Sequence, residues 1–394
     1  MKKMKRYRLI LGVLSASLLA VAVCGCGPLS GDAPFDPGYF DLPQISYFPT
    51  SVNTPDGNRL SVQGVALGRY LFYDIRLGGH RAADSMLSCA SCHVQAHAFD
   101  CGPDNLRLKN GRMRGAAGLT TAHAALPLIN MAYNTVGFGW NRALEYPSAN
   151  LENLIRQTLL DSAEFAGTAA AIEERIRNIE WYPPLFEAAF GSKAVTLERI
   201  CFALAQFVRT LVSDNSAFDR FMRGETVLSE EAMRGYVLFT TEEGADCFHC
   251  HGGVGNVLFS NYDVLINGLD PQDDFNDPYD RASVTGLPSD KGAYRIPTLR
   301  NIEYTAPYMH DGRFSSLEEV IDQYSENVHH ASFISPLMHH VETGGVQLTE
   351  AEKKCLKAFL LSLSDVDFIH NAMYANPFIH DTIPAFAEVG NGDK

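Results

Sequence analysis

The chain has 394 residues, 46% hydrophobic and 20% charged, and its 32 Lys and Arg against 46 Asp and Glu give a net charge of −14. That length and composition suit a folded protein with room for two domains, and exclude a disordered or fibrous chain. The acidic balance excludes a nucleic-acid partner, because such a surface repels phosphate; it suits a basic partner or plain solubility.

Residues 1–25 read as a targeting segment. Lys2, Lys3, Lys5, Arg6 and Arg8 precede the apolar run LILGVLSASLLAVAV and then Cys24-Gly25-Cys26. A small residue directly before a cysteine, after such a run, resembles a bacterial lipoprotein signal. The expectation is export to the periplasm or cell envelope, with contact to the membrane only through a lipid anchor on Cys26; a plain cleaved signal or an uncleaved anchor is the alternative. Without residues 1–25 the chain keeps 27 basic against 46 acidic residues, a net charge of −19. Residues 26–45, rich in Pro, Gly and Asp, read as a tether.

The segment GVALGRYLFYDIRLGGHRAADSMLSCASCH follows, ending in a CxxCH motif, Cys89 to His93. A partial echo, MRGYVLFTTEEGADCFHCHGG, ends in a second one, Cys247 to His251. Gly68, Tyr70 and Leu71-Phe72 stand before the first, and Gly235, Tyr236 and Leu238-Phe239 before the second, which suggests a duplicated module, one per domain. Between the motifs, ANLENLIRQTLLDSAEF and LERICFALAQFVRTLV repeat apolar residues at helical spacing, and NSAFDRFMRGE follows at the close of the first domain. Further on, Ser315 with Glu318 reads as a capping box for a helix that presents Leu317, Val320, Ile321 and Tyr324 on one face. A last amphipathic helix, LTEAEKKCLKAFLLSLSD, opens with the capping box Thr349 to Glu352. No strand alternation is sustained, so the expected fold is mainly α, with domains over residues 46–213 and 214–394.

CxxCH carries specific chemistry. Two cysteines three apart lie on one side of a helical turn and can form thioethers to the two vinyl groups of one haem, while the adjacent His supplies an iron ligand. Two motifs therefore imply two covalently bound haem c groups. A zinc site from Cys89, Cys92, Cys247 and Cys250, or a redox CxxC pair, needs no His after each pair. Cys201 and Cys355 fall in apolar helical patterns and read as buried thiols; Cys101 is unassigned, as is the His-rich stretch from His329 to His340. A two-haem chain either passes electrons only, when both irons carry ligands on both sides, or reacts with peroxide at an open iron.

The segments LGRYLFYDIRL with SCASCH, NSAFDRFMRGE, CFHCHGG, YRIPTLRNIEYTAPYMHDGRF and SLEEVIDQY together resemble the bacterial di-haem cytochrome c peroxidase family, which includes MauG and a methanobactin-associated enzyme. The resemblance covers about residues 60–365 and implies two cytochrome c-like helical domains whose haems face a shared interface. It implies a haem-dependent peroxidase-type enzyme, with hydrogen peroxide reacting at the haem of Cys89, Cys92 and His93. Trp140, in FGWNRA, falls on the family's electron-relaying tryptophan, and Glu164, in LLDSAEF, on its distal acid–base glutamate. Leu154 and Thr158 stand where the family often has Gln and Pro. No counterpart of the distal His of standard peroxidases is evident; His97 lies near the proximal side and His123 is the remaining candidate. The resemblance also implies a calcium ion held by the backbone carbonyls of Thr305 and Pro307, although the expected Asn falls near Ala124.

Two residues compete for the sixth position on the second haem. The family places a methionine there in standard peroxidases and a tyrosine in MauG and its methanobactin-associated relative. Tyr324 falls on that position, and Met309, 15 residues earlier, falls where relatives have a packing residue. A methionine ligand favours reduced iron and an electron store refilled by a small cytochrome or copper protein; a phenolate favours oxidised states and suits oxidation of a protein partner. The expected enzyme is of the second kind. Ordinary peroxide detoxification and a non-enzymatic electron carrier are the alternatives.

Overall fold

The computed structural model describes residues 35–79, 86–145, 150–253, 255–271 and 275–378, so the leader and Cys26 lie outside the described residues. It is mainly helical, as expected. The first half contains α1 (Val62–Tyr73), α2 (Leu151–Leu160), α3 (Ala169–Arg177), α4 (Tyr182–Phe190) and α5 (Leu197–Arg209). The second contains α6 (Ala217–Met222), α7 (Glu230–Phe239), α8 (Phe248–His251), α9 (Ala282–Thr285), α10 (Leu317–Glu326), α11 (Glu350–Leu361) and α12 (Val366–His370). Three antiparallel ladders of two-residue strands pin the loops: β1 (Leu108–Lys109) with β2 (Arg112–Met113), β3 (Gly137–Phe138) with β4 (Leu144–Glu145), and β5 (Val264–Leu265) with β6 (Tyr294–Arg295).

The duplicated module is visible as packing. A Cβ on Gly68 of α1 would stand 1.9 Å from the Ala203 carbonyl of α5, and a Cβ on Gly235 of α7 would stand 1.9 Å from the Cys355 carbonyl of α11. Only glycine lets each pair of helices approach this closely. Four residues after each glycine a phenylalanine meets one on the partner helix: Phe72 and Phe207 are 5.2 Å apart between ring centroids, and Phe239 and Phe359 5.0 Å. A third phenylalanine completes each set, Phe99 at 5.8 Å from Phe72 and Phe259 at 5.9 Å from Phe239. The two tyrosines of the sequence echo are not equivalent, since Tyr70 lies two residues after its glycine and Tyr236 only one.

Two apolar clusters follow, one around α1 and α5, the other around α7 and α11. They exchange segments. Leu42, Phe48 and Leu60 bury themselves in the second cluster, while Phe368 and Ile369 of α12 are buried in the first, with Tyr374 and Phe378 packed against it. The C-terminal part of the expected tether is therefore docked: Leu42 is buried and Phe40 N donates to Leu60 O. Each half also holds a buried ion pair. Arg209 meets Glu152 at 2.7 and 2.8 Å, and Arg300 makes two 2.9 Å bonds to Asp219.

The capping box before α10 is shifted by one from the expectation. Ser316, not Ser315, accepts from the N–H of Glu319, because Leu317 takes the first helical position and buries its side chain. The box at Thr349 and Glu352 forms as expected. Cys201 and Cys355 are buried, as is Cys101.

Candidate haem sites

The first CxxCH motif is a 3-10 turn over Cys89–Ser91 and the second a short α-helix over Phe248–His251, but both support their histidine in the same way. After each motif the chain turns back, and a phenylalanine with positive φ aims its carbonyl at the motif's histidine: Phe99 (φ 60°) and Phe259 (φ 52°). His93 Nδ1 donates to Phe99 O at 2.9 Å, and His251 Nδ1 to Phe259 O at 3.1 Å. With Nδ1 occupied, Nε2 is the nitrogen left for a metal, and the ring orientation is set in advance. Burial lowers the pKa of both imidazoles, that of His251 to about 4, so each is neutral with its lone pair available.

Burial raises all four thiols, Cys89, Cys92 and Cys247 to about 12 and Cys250 to about 11. Such thiols are poor thiolates, which counts against a thioredoxin-like pair. Among the described residues no cluster of three metal-ligating side chains includes a cysteine, which counts against the zinc reading. Beside Cys247, Cys250 and His251 opens a cavity with about 1730 Å3 of empty space, mouth included, walled by apolar side chains such as Leu299, Leu317, Ile321 and Leu360. A roomy apolar cavity with two thiols, one oriented imidazole and one phenol fits a covalently attached haem, and the first motif repeats the two thiols and the oriented imidazole.

Tyr324 lines this cavity from α10, and Asn267 Nδ2 donates to its hydroxyl at 2.8 Å. Burial pushes this phenol up to about 12, while the Asn267 bond acts in the opposite direction. Met309 lines the cavity as well, in a left-handed backbone conformation (φ 73°). Only the tyrosine is held at its polar tip among the described residues.

Trp140 belongs to the first half yet lines the second cavity. Its indole N–H donates to Ala124 O at 2.9 Å, and its carbonyl accepts from Arg295 N at 2.7 Å. The first site lies behind the same wall: Phe99 O, which holds His93, also accepts from Leu128 N at 3.3 Å, and Ala125, Leu126, Pro127 and Asp100 line the second cavity. A short stretch of backbone thus connects the His93 support to the Trp140 support.

Glu164 is not on a helix. α2 stops at Leu160, where Asp161 caps it and accepts Ala163 N on its side chain and Glu164 N on its carbonyl. Glu164 sits in the following turn, with its own carbonyl held by Ala116 N at 2.7 Å. Its carboxylate is near enough to contribute to raising both Cys89 and Cys92, which places it at the first motif. Burial first, and Asp161 second, push its pKa up to about 7 against a lowering hydrogen bond from Thr158.

Thr305 and Pro307 both line the second cavity. Ala124 offers no side-chain oxygen, and its carbonyl is already taken by Trp140. His97 Nδ1 contacts Tyr304 O at 3.2 Å, and His123 Nε2 donates to Asp277 at 3.1 Å. His123 therefore belongs to an aromatic group with Tyr294 and His310, whose rings stack at 3.8 Å. Sequence reasoning missed Asn267, Asp100 and this Tyr294–His310 stack. Asp100 was open to detection, one residue after the phenylalanine that supports His93; Asn267 lies 57 residues from Tyr324 and carries no local signal.

A family model described as di-haem cytochrome c peroxidase matches residues 62–227. The methylamine utilization protein MauG of Methylorubrum extorquens is 31% identical over 318 residues, 80% of this chain and 82% of that protein. A cytochrome c551 peroxidase of Nitrosomonas europaea is 32% identical over 261 residues, covering 65% of this chain and 71% of its own length. The crystal structure of a MauG-like protein associated with microbial copper homeostasis superposes with a TM-score of 0.74 at 30% identity, over 86% of this chain and 99% of that one. With two matching CxxCH sites, a mainly helical fold and similarity over most of the chain, the protein belongs to the di-haem cytochrome c peroxidase/MauG family and is a haem-dependent, peroxidase-type oxidoreductase with two haem c groups.

Proposed function

We propose that the chain is a MauG-like enzyme, in which hydrogen peroxide reacts at the haem of Cys89, Cys92 and His93 and the oxidising power is delivered to a protein partner. Cys247, Cys250 and His251 would hold the second haem, and Tyr324 would offer its phenol oxygen to that haem's iron. The observation that carries this reading is the Tyr324 hydroxyl, fixed by Asn267 at 2.8 Å inside the cavity beside the second motif. When bound, the two haems supply peroxide activation at one iron and storage of an oxidising equivalent at the other.

The protein's own groups do the rest. Glu164, near pH 7 divided between its two protonation states, takes the proton of peroxide and returns it to the departing oxygen. Trp140, held at both its indole N–H and its carbonyl, relays electrons between the two sites. The Thr305 and Pro307 carbonyls are the proposed ligands of a calcium ion, whose remaining oxygens would be water, since Ala124 replaces the expected Asn. Export and a lipid anchor on Cys26 place the enzyme in the cell envelope.

The test is to mix the diferric holoprotein with peroxide. Rapid change of both haem spectra without prior reduction supports the reading, and Tyr324→Met should abolish it. Inertness until half-reduction supports the alternative, peroxide detoxification with electrons from a small cytochrome or copper protein, which the cytochrome c peroxidase relatives favour.

A further inference from the structure

The His-rich stretch before α11 lies against the second CxxCH motif. His339 Nδ1 stands 3.0 Å from Asp246 Oδ2, and His249, inside the motif, places its Nδ1 2.7 Å from Asp246 Oδ1. His249 Nε2 then faces Glu242 Oε1 at 3.5 Å. His340 Nε2 donates to the Glu242 backbone carbonyl at 3.0 Å, which holds the two loops together. One ligand atom from each of Glu242, His249 and His339 lies within 4.8 Å of the others.

We infer that Glu242, His249 and His339 form a non-haem site for a divalent ion of the zinc or copper kind, at the rim of the second haem cavity. Two imidazoles and one carboxylate are a donor set for a borderline ion and discriminate against calcium or magnesium, which require oxygens. The two nitrogens His249 and His339 turn toward Asp246 meet a side chain only 5% exposed, a carboxylate able to orient both rings as carboxylates do behind metal-bound histidines. His249 is anchored between Cys247 and Cys250, so one ligand rides on a segment that covalent attachment holds rigid. Asp246, His339 and His340 also line the cavity, so the ion would sit where the cavity opens, reachable from solvent through the 38% exposed His339. The other His pair of the stretch lies elsewhere: His330 faces the exposed Glu342 at 3.6 Å.

Isothermal titration of the diferric holoprotein with Zn2+ tests the site. One saturable equivalent is expected in the wild type, retained in large excess of Ca2+ and in a His329→Ala/His330→Ala variant. His339→Ala should lose it, and Asp246→Asn should weaken it about 10- to 100-fold. An unchanged Soret band in each variant excludes misfolding as the cause. The inference is overturned if the wild type shows no saturable equivalent, or if His339→Ala binds zinc as the wild type does.

Discussion

Glu164 provides the sharpest test of how the protein environment sets the peroxide chemistry. With its pKa pushed to about 7, it is about 10% ionised at pH 6 and about 90% at pH 8. If the ionised form takes the proton from peroxide, the second-order rate of the diferric holoprotein with peroxide should rise roughly ninefold between these pH values. Glu164→Gln should lower that rate about 100- to 10,000-fold and flatten its pH dependence. The causes of the shift predict two opposite movements. Asp161→Asn removes a like charge, which drops the midpoint below 7; Thr158→Val removes a bond to the carboxylate, which raises it. Stability moves the opposite way to the rate: a carboxyl raised from 4.5 to about 7 costs stability as pH rises through that window, so Glu164→Gln should lose less stability than wild type there. Stopped-flow spectroscopy across pH measures the rates. Midpoints that fail to move in opposite directions in the two neighbouring variants, or a Gln variant that keeps the wild-type profile, would refute the argument.

Other consequences are as direct. In Gly68→Ala or Gly235→Ala the new Cβ must retreat about 1.5 Å from a backbone carbonyl to reach the ordinary 3.4 Å contact, so each should cost ~3 kcal/mol in denaturant titration, whereas Gly57→Ala, with nothing within 4 Å, should stay within ~0.5 kcal/mol. Arg300→Met leaves Asp219 buried without its cation and should destabilise by ~3–5 kcal/mol by the same measurement. Asn267→Leu releases the Tyr324 hydroxyl and should alter the spectrum of the second haem while sparing the first; an unchanged spectrum would count against tyrosine ligation and return Met309 to contention.

Much of the local structure was legible because it is written at short range. The helices carry their own periodicity and caps, as at Thr349 and Glu352, and each CxxCH motif supplies its three donors within five residues. The Ser315 reading missed by one because two adjacent serines both reach Glu319, and burial of Leu317 decides between them. Glu164 was read as part of a helical run, yet Asp161 ends that helix by accepting the N–H groups that follow. The exchange of Leu42 and Phe48 into one cluster and Phe368 into the other has no sequence signature, since an apolar residue does not specify which core it enters.

By itself the sequence determined the two CxxCH modules, the mainly α architecture and the donor types available to each haem, because these depend on spacings of a few residues. Tertiary structure alone decided which distant groups share a site. Asn267 reaches Tyr324 across 57 residues, and Trp140 leaves its own half to line the cavity of the other. His339 meets His249 at Asp246. Such encounters arise from how the two glycine-crossed helix pairs and their exchanged segments pack, and packing is a property of the whole chain rather than of any window within it.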